Sequence, residues 1–211
     1  GFIGSHTCLA LLERGYNVYV IDSFVNSSPK SLERVINIHK KKHADSNLNL
    51  IIFKGDLRDK NFVQIVFSDI YKLNNKIDGV IHFAGLKSVL ESQKNPLLYW
   101  KVNVLGTLNL LEVMKTYQCI NFVFSSSATV YAQINNASLK EESEIGPINP
   151  YGNTKLTVEK LLEDIFKTHK TEYKFASLRY FNPIGAHSSG LLGENPIGMP
   201  NNIFPLIINT A

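Results

Sequence analysis

The sequence has little cysteine and no long apolar run, and each absence excludes a class of protein. Its 211 residues contain two cysteines, Cys8 and Cys119, which are too few for a disulfide framework and stand in apolar surroundings. They predict small core side chains in a reducing compartment, so we expect a cytoplasmic protein. No stretch reaches the roughly 18 apolar residues of a membrane span, and we expect neither a span nor a signal peptide. No His, Cys and Asp cluster has the spacing of metal ligands, so no metal is expected.

A strong excess of one charge is also missing. Lys and Arg number 22 against 18 Asp and Glu, and the only dense basic run is residues 40–42. A solvated helix end or loop explains that run better than a nucleic-acid surface, so no nucleic-acid partner is expected. With 44% hydrophobic residues, the composition is typical of a globular protein with one sizeable core.

What the sequence does contain is a regular alternation of short apolar runs and amphipathic stretches. The runs are rich in Val, Ile and Phe, which is typical of parallel strands buried on both faces. They cover residues 17–22, 50–54, 79–83, 122–125 and 175–180. Helical patterns cover residues 5–14, 61–73, 96–116 and 151–169. The alternation predicts an α/β fold with a doubly wound, Rossmann-type parallel sheet.

The organisation changes at residue 182, after which Gly and Pro dominate. We therefore predict one domain over residues 1–181 and the start of a smaller region over residues 182–211. The chain begins at Gly1, within what reads as a glycine-rich turn. We expect a fragment whose first strand lies upstream.

The most informative segment contains Tyr151 and Lys155, with Ser127 shortly before it. Residues four apart stand one above the other on a helix face. An ammonium that close favours a phenolate and is expected to lower the Tyr151 pKa from about 10 towards neutrality. The tyrosine then becomes a usable base, and Ser127 can bridge it to a substrate alcohol. This set of residues suits removal of a proton from an alcohol while hydride leaves the same carbon.

A second group of residues predicts a dinucleotide site. Gly1 and Gly4 fit the later part of a glycine-rich turn, where the backbone approaches a pyrophosphate. Asp22 follows at the end of a predicted strand, where its carboxylate accepts from ribose hydroxyls and repels a 2′-phosphate. This arrangement favours NAD over NADP.

Two further strand ends add to the same site. Asp56 is placed for the adenine amino group, and small Ala84 and Gly85 leave room for a cofactor at the carboxyl edge of the sheet. Lys87 is a candidate for the cofactor ribose or phosphate. Asn103 is polar on an apolar helix, and a cofactor role and a buried structural role are equally open.

Taken together, these segments resemble the UDP-glucose 4-epimerase family of the extended short-chain dehydrogenases/reductases. The matching segments are residues 1–7, 22–27, 55–58, 81–87, 103–107, 125–131, 151–155, 178–186 and 200–202. They extend over nearly the whole chain.

The resemblance implies an isomerase of galactose metabolism that interconverts UDP-glucose and UDP-galactose through a transient 4-keto sugar. Tyr151 takes the proton of the sugar 4-hydroxyl as hydride passes to NAD, Lys155 holds the nicotinamide ribose, and Ser127 bridges Tyr151 and the 4-oxygen. A homodimer built from helices 96–116 and 151–169 is also implied. By the same resemblance, a C-terminal substrate lobe is expected downstream, and the 211 residues alone are expected to be inactive.

The resemblance also implies individual contacts. Those with NAD are Gly1, Phe2, Ile3, Gly4, Asp22, Ser23, Asn26, Ser27, Asp56, Leu57, Phe83, Ala84, Gly85, Lys87, Asn103, Ser125, Tyr151, Lys155 and Phe181. Those with the UDP-sugar are Ser127, Tyr151, Asn182, Asn202 and Ile203.

Three alternatives stay open. A nucleotide-sugar 4,6-dehydratase also oxidises C4, but it usually carries an Asp-Glu pair where this sequence has Ala128 and Thr129. A UDP-glucuronate epimerase would differ mainly in contacts beyond residue 211. A non-catalytic NAD-binding module would have no use for the set of Ser127, Tyr151 and Lys155.

Overall fold

The computed structural model describes residues 1–44, 47, 49–74, 76–133, 138–169, 172–196 and 203–210. Within these residues, five strands alternate with helices. The strands are β1 (Val18–Asp22), β2 (Leu50–Lys54), β3 (Val80–His82), β4 (Asn121–Ser127) and β5 (Lys174–Tyr180). The helices are α1 (Phe2–Glu13), α2 (Lys30–Lys42), α3 (Lys60–Asn74), α4 (Val89–Lys94), α5 (Pro96–Tyr99), α6 (Gly106–Thr116), α7 (Pro150–Thr168) and α8 (Ile203–Thr210).

All strand pairing among the named strands is parallel, as predicted. β1 pairs with β2, with Val18 opposite Leu50, and a second sheet has the order β3-β4-β5. The α/β class with parallel strands is confirmed, and each predicted strand lies within two residues of its observed bounds. Burial on both faces is wrong for β5, where Leu178 is 41% exposed, because β5 stands at the edge of its sheet.

The chain divides into two compact units. The first unit comprises Gly1–Gly55 and Asn182–Ala211, and the second unit comprises Asp56–Phe181. Their boundaries include the predicted change at residue 182, but residues 182–211 belong to the same compact unit as the N-terminal segment. Compactness does not measure what a segment binds, so the division into an NAD-binding domain and a substrate-binding region stays a prediction.

In the first unit, α1 and α2 pack with the β1-β2 pair around one apolar cluster. Its buried members are Cys8, Leu9, Leu12, Val18, Leu32, Val35, Ile38 and Leu192. α1 ends at Glu13, two residues before Gly15, whose φ of +87° suits glycine at a helix stop. The dense basic run 40–42 forms the last turn of α2, which confirms its interpretation as a helix end.

In the second unit, the predicted helix 96–116 is not one regular α-helix. It consists of α5, a π-helical segment (Trp100–Leu105) and α6. Where this segment meets α6, the Thr107 hydroxyl donates to the Asn103 carbonyl oxygen at 2.6 Å, and His82 Nε2 contacts the same hydroxyl at 2.8 Å. A side chain that bonds to a backbone carbonyl within a helix is a known cause of such irregularity. The hydrophobic periodicity of the sequence does not reveal it.

The helix that carries the central motif begins where the sequence predicts. Asn149 precedes α7, and its side chain accepts a hydrogen bond from the Gly152 N–H at 2.8 Å, while Pro150 occupies the first helical position. Asp59 likewise accepts a hydrogen bond from the Phe62 N–H at the start of α3. No described helix is long and apolar enough to cross a membrane.

Candidate active site

The central motif lies in the second unit, between the first turns of α7 and the end of β4. Tyr151 and Lys155 are buried, with 9% and 5% of their surfaces exposed. The Lys155 Nζ donates to the Ser125 carbonyl oxygen at 2.7 Å and lies 4.9 Å from the centre of the Phe124 ring. A helix and a strand end far apart in sequence therefore meet at these side chains.

The protonation of Tyr151 differs from the sequence prediction. Burial raises the Tyr151 pKa, and a hydrogen bond with the Ser127 hydroxyl opposes that rise. The expected lowering by Lys155 is wrong for this geometry, because Nζ lies 5.9 Å from the centre of the Tyr151 ring and donates to the Ser125 carbonyl instead. Burial also lowers the Lys155 pKa to about 8. Desolvation therefore favours the neutral form of both side chains.

Two neighbours hold Tyr151 and Ser127 in place. The Tyr99 ring is fully buried and meets the Tyr151 ring edge-on, with 6.4 Å between ring centres. The Thr129 N–H and hydroxyl donate to the Ser127 Oγ at 3.2 and 3.0 Å. These bonds occupy both acceptor positions of the Ser127 oxygen, so its single hydroxyl hydrogen is what it offers to Tyr151.

The predicted glycine at the carboxyl end of β3 faces the same place. Gly85 has a φ of +152°, and a Cβ built on it would lie 3.0 Å from Asn103 Oδ1 and 3.8 Å from Lys155 Nζ. Asn103 accepts from the Leu86 N–H at 2.8 Å and donates to the Leu86 carbonyl and to Thr154 at 3.0 and 3.1 Å. Its amide is thus used within the protein, which favours the structural alternative for this side chain.

The Asp56 carboxylate is engaged locally. The Arg58 guanidinium donates to both of its oxygens at 3.0 and 2.7 Å, and this pairing lowers the Asp56 pKa. Leu57 packs against α6, since a Cβ built on Gly106 would lie 3.3 Å from the Cβ of Leu57. The proposed adenine contact of Asp56 stays a prediction.

In the first unit, the start of α1 lies beside the end of β1. The Gly1 nitrogen is 3.9 Å from Asp22 Oδ2. The other Asp22 oxygen accepts from the Phe24 N–H at 2.7 Å and from the Ser27 hydroxyl at 2.9 Å. Gly1 therefore lies close to Asp22, as a turn that binds a dinucleotide requires, and Phe2, Ile3 and Gly4 follow it in the first turn of α1.

The other residues that the sequence predicts to contact NAD or the UDP-sugar lie in several loops and strand ends of the two units. In the second unit, Phe83, Ala84 and Lys87 follow β3, and Phe181 is 63% exposed after β5. In the first unit, Ser23 and Asn26 follow β1, Asn182 is exposed, and Ile203 begins α8. Asn202 lies outside the described residues.

Sequence reasoning missed a group that lies directly beside the motif. Glu159, on the α7 face of Tyr151 and Lys155, accepts from the Ser126 hydroxyl and from Arg179. The spacing 151, 155, 159 was a usable signal, because residues four apart share a helix face.

Comparison with known proteins places this geometry in a family. The model of the family described as GDP-mannose 4,6 dehydratase matches residues 1–211. This chain belongs to that family. Within it, the UDP-glucose 4-epimerase 2 of Arabidopsis thaliana is 50% identical over 212 residues, which cover 100% of the chain and 57% of that protein. The UDP-glucose 4-epimerase of Yersinia enterocolitica is 46% identical over 212 residues, or 100% of the chain and 59% of that protein.

Solved structures of the family agree. The UDP-glucose 4-epimerase from Bifidobacterium longum, in complex with NAD+ and UDP, superimposes with a TM-score of 0.86 at 43% identity, over 98% of this chain and 58% of that one. The resemblance to the epimerases is thereby confirmed, as is the Rossmann-type fold. The chain spans a little over half the length of these relatives.

Proposed function

We propose that the full-length protein is an NAD-dependent epimerase that interconverts UDP-glucose and UDP-galactose. The observation that carries the proposal is the meeting of Ser127, Tyr151 and Lys155 at one buried place beside the carboxyl ends of β3 and β4. Ligands bind at that edge in open parallel sheets. The similarity to UDP-glucose 4-epimerases supports the same function.

The residues present fit NAD. Gly85 leaves a space beside Asn103 and Lys155 that a Cβ would fill, and a dinucleotide approaches the backbone at such a place. In the first unit, Asp22 presents a carboxylate to ribose hydroxyls beside the start of α1. When bound, NAD supplies a hydride acceptor that is restored within each turnover. The other proposed contacts in these segments are Phe2, Ile3, Ser23, Asn26, Ser27, Leu57, Phe83, Lys87, Ser125 and Phe181.

The proton chemistry belongs to the side chains of α7 and β4. Tyr151 acts in its phenolate form, which the hydrogen bond from Ser127 favours against burial, and in that form it accepts the proton of the sugar 4-hydroxyl and returns it later in the cycle. Ser127 bonds both the tyrosine and the sugar 4-hydroxyl once one of the two Thr129 donors releases the Ser127 oxygen. Its hydrogen bond with Tyr151 opposes the effect of burial on the phenol pKa. Lys155, held by the Ser125 carbonyl, orients the ribose.

A 4,6-dehydratase is the second candidate, because the family model carries that description. Elimination of water needs an acid and a base in addition to the tyrosine. The turn after β4 (Ala128–Val130) offers only a methyl group and a hydroxyl, from Ala128 and Thr129, and the Thr129 hydroxyl donates to Ser127. This chemistry favours the epimerase.

The nucleotide-sugar contacts that we propose are Asn182, Asn202 and Ile203. A reaction in which the 4-keto sugar turns over within the site needs a firm hold on UDP and a loose one on the sugar. Acceptance of N-acetylated sugars is left open by these residues.

We also propose a cytoplasmic homodimer. Large apolar side chains on α5, α6 and the π-helical segment are more than a third exposed, namely Leu97, Leu98, Trp100, Leu105 and Leu108. Phe166 on α7 is 43% exposed. Exposed apolar side chains in such numbers support an interface between copies. Light scattering that shows a monomer at working concentration would discard the dimer.

The function is tested with the purified full-length protein and no added NAD. Incubation with UDP-galactose is expected to give UDP-glucose, and the denatured protein is expected to release NAD. Formation of a 4-keto-6-deoxy sugar would support the dehydratase instead. Bound NAD without turnover of either UDP-sugar would support a non-catalytic module.

A further inference from the structure

Beside the proposed catalytic side chains, a charged network joins α7 to β4 and β5. The Ser126 hydroxyl donates to Glu159 Oε1. Arg179 donates to the same carboxylate through Nε at 3.1 Å and through Nη2 at 2.8 Å. Ser126 and Glu159 are 2% and 10% exposed, so water competes little for these bonds.

The network has a defined register in the sheet. Ser126 and Arg179 stand opposite each other on β4 and β5, so their side chains project from the same face. Glu159 reaches both from α7 and therefore fixes the helix above two neighbouring strands. Pairing with Glu159 raises the pKa of Arg179, so the guanidinium remains charged.

This contact lies next to the one made by Lys155. Lys155 bonds the carbonyl of Ser125, and one helical turn later Glu159 bonds the hydroxyl of Ser126. The strand residue after Ser126 is Ser127. Two adjacent contacts therefore set the distance between the helix that carries Tyr151 and the strand that carries Ser127.

Arg179 extends the network to the chain that leads into α7. Its Nη1 donates to the Tyr131 hydroxyl and to the Glu141 carbonyl, both at 3.0 Å. Its guanidinium also lies over the Tyr131 ring, 4.9 Å from the centre. Tyr131 bridges to Ile145 shortly before α7 begins.

We infer that Glu159 is a positioning residue: by bonding Ser126 and Arg179 it holds Tyr151 in reach of Ser127. The inference rests on the proposed function for its kinetic test. Glu159 acts through other residues, since every contact of its carboxylate given above is with the protein. A displacement of about 1 Å at reacting groups costs up to about 100-fold in rate.

The kinetic test compares Glu159→Ala, Glu159→Gln and Glu163→Gln in the full-length protein. Glu159→Ala removes both bonds, so we expect kcat to fall by about 100-fold with little change in KM. Glu159→Gln keeps an oxygen that accepts from Ser126, so it should recover much of that loss. Glu163 is the matched control, because it is exposed on the same helix and pairs with Lys167.

A second readout is independent of turnover. The protein is labelled with 13C at the tyrosine ring, and the Tyr151 signal is assigned by its loss in Tyr151→Phe. Glu159→Ala should shift the pH midpoint of that signal, because the Ser127 bond to Tyr151 is altered, while Glu163→Gln should not. If Glu159→Ala does not fold, Ser126→Ala, which removes a single bond, takes its place.

The outcomes separate the two ideas. Wild-type protein without epimerase activity would overturn the proposed function, and the Tyr151 signal would still decide the role of Glu159. Unchanged kcat and an unchanged Tyr151 midpoint in Glu159→Ala would overturn the positioning role. Equal loss in Glu159→Ala and Glu159→Gln, accompanied by an equal fall in Tm, would overturn it as well.

Discussion

The Lys155 ammonium donates to the backbone carbonyl of Ser125, 30 residues earlier in the chain, at 2.7 Å. The contact ties the second turn of α7 to the end of β4. The ammonium lies 5.9 Å from the centre of the Tyr151 ring and donates to the Ser125 carbonyl, so the two side chains of the motif do not form the direct pair that their spacing suggests. What holds Tyr151 is Ser127 on one side and the edge-on ring of Tyr99 on the other.

Replacing Tyr151 with Phe tests the proposed proton acceptor. Only a hydroxyl is lost, so the free energy of unfolding should change by about 1 kcal/mol or less. Turnover of UDP-galactose should fall by about 100-fold or more, because the proposed mechanism has no second base for the proton of the sugar 4-hydroxyl. Steady-state kinetics and urea denaturation give both numbers. Tyr71→Phe, at a partly exposed position on α3, is the control, and activity near wild type in Tyr151→Phe would remove Tyr151 from this role.

Replacing Lys155 with Met tests the cost of its burial. The folded pKa of about 8 lies below the ordinary value of 10.5, so between these pH values the unfolded chain binds more protons than the folded one. The free energy of unfolding contributed by Lys155 therefore rises with pH across this window. The free energy of unfolding of the wild type, measured relative to that of Lys155→Met, should increase by on the order of 3 kcal/mol as the pH rises from below 8 to above 10.

The Lys155 measurement is urea denaturation of both proteins at a series of pH values. Lys160→Met serves as the control, because Lys160 is exposed on the same helix and should show no such trend. A constant difference between wild type and Lys155→Met at every pH would contradict the lowered pKa.

Replacing Gly152 with Ala tests the close approach of α7 to the turn after β4. A Cβ at this position would lie 2.6 Å from the Thr129 carbonyl oxygen and 2.9 Å from the Pro147 Cβ. Alanine normally stabilises a helix relative to glycine, but here the clash should cost about 1–3 kcal/mol. Thermal denaturation measures the effect beside Asn153→Ala, an exposed neighbour. A Tm equal to or above wild type would show that the backbone yields easily.

Replacing Asn103 with Ala tests its structural role. The change removes the partner of the Leu86 N–H and carbonyl, so it should cost about 2–4 kcal/mol of stability. NAD affinity should fall too, because the Gly85 turn loses its support. Denaturation curves and the amount of NAD that stays bound through purification are compared with those of Asn61→Ala, an exposed site on α3. Full stability with weakened NAD binding would instead make Asn103 a direct cofactor ligand.

Local signals explain which elements the sequence predicts well. The runs that became β1 and β2 are bounded by polar residues and glycine, and Gly15, Asp59 and Asn149 act through neighbours within four residues. The break at Trp100–Leu105 was not predictable from period, because it accompanies bonds between Thr107, Asn103 and the distant His82. The exposure of β5 was missed for a similar reason, since position at a sheet edge is a property of strand order.

The sequence alone determined the α/β class, the parallel strands and the residue types available for hydride chemistry, because periodicity, caps and motifs act over a few residues. Only the tertiary structure decided what those residues do to one another. The Tyr151 pKa depends on burial and on the bond with Ser127. The position of the Lys155 ammonium depends on the Ser125 carbonyl, and the position of α7 depends on the bonds of Glu159 with Ser126 and Arg179. Desolvation and hydrogen bonds between residues 20 to 33 positions apart are set by packing, which no local pattern encodes.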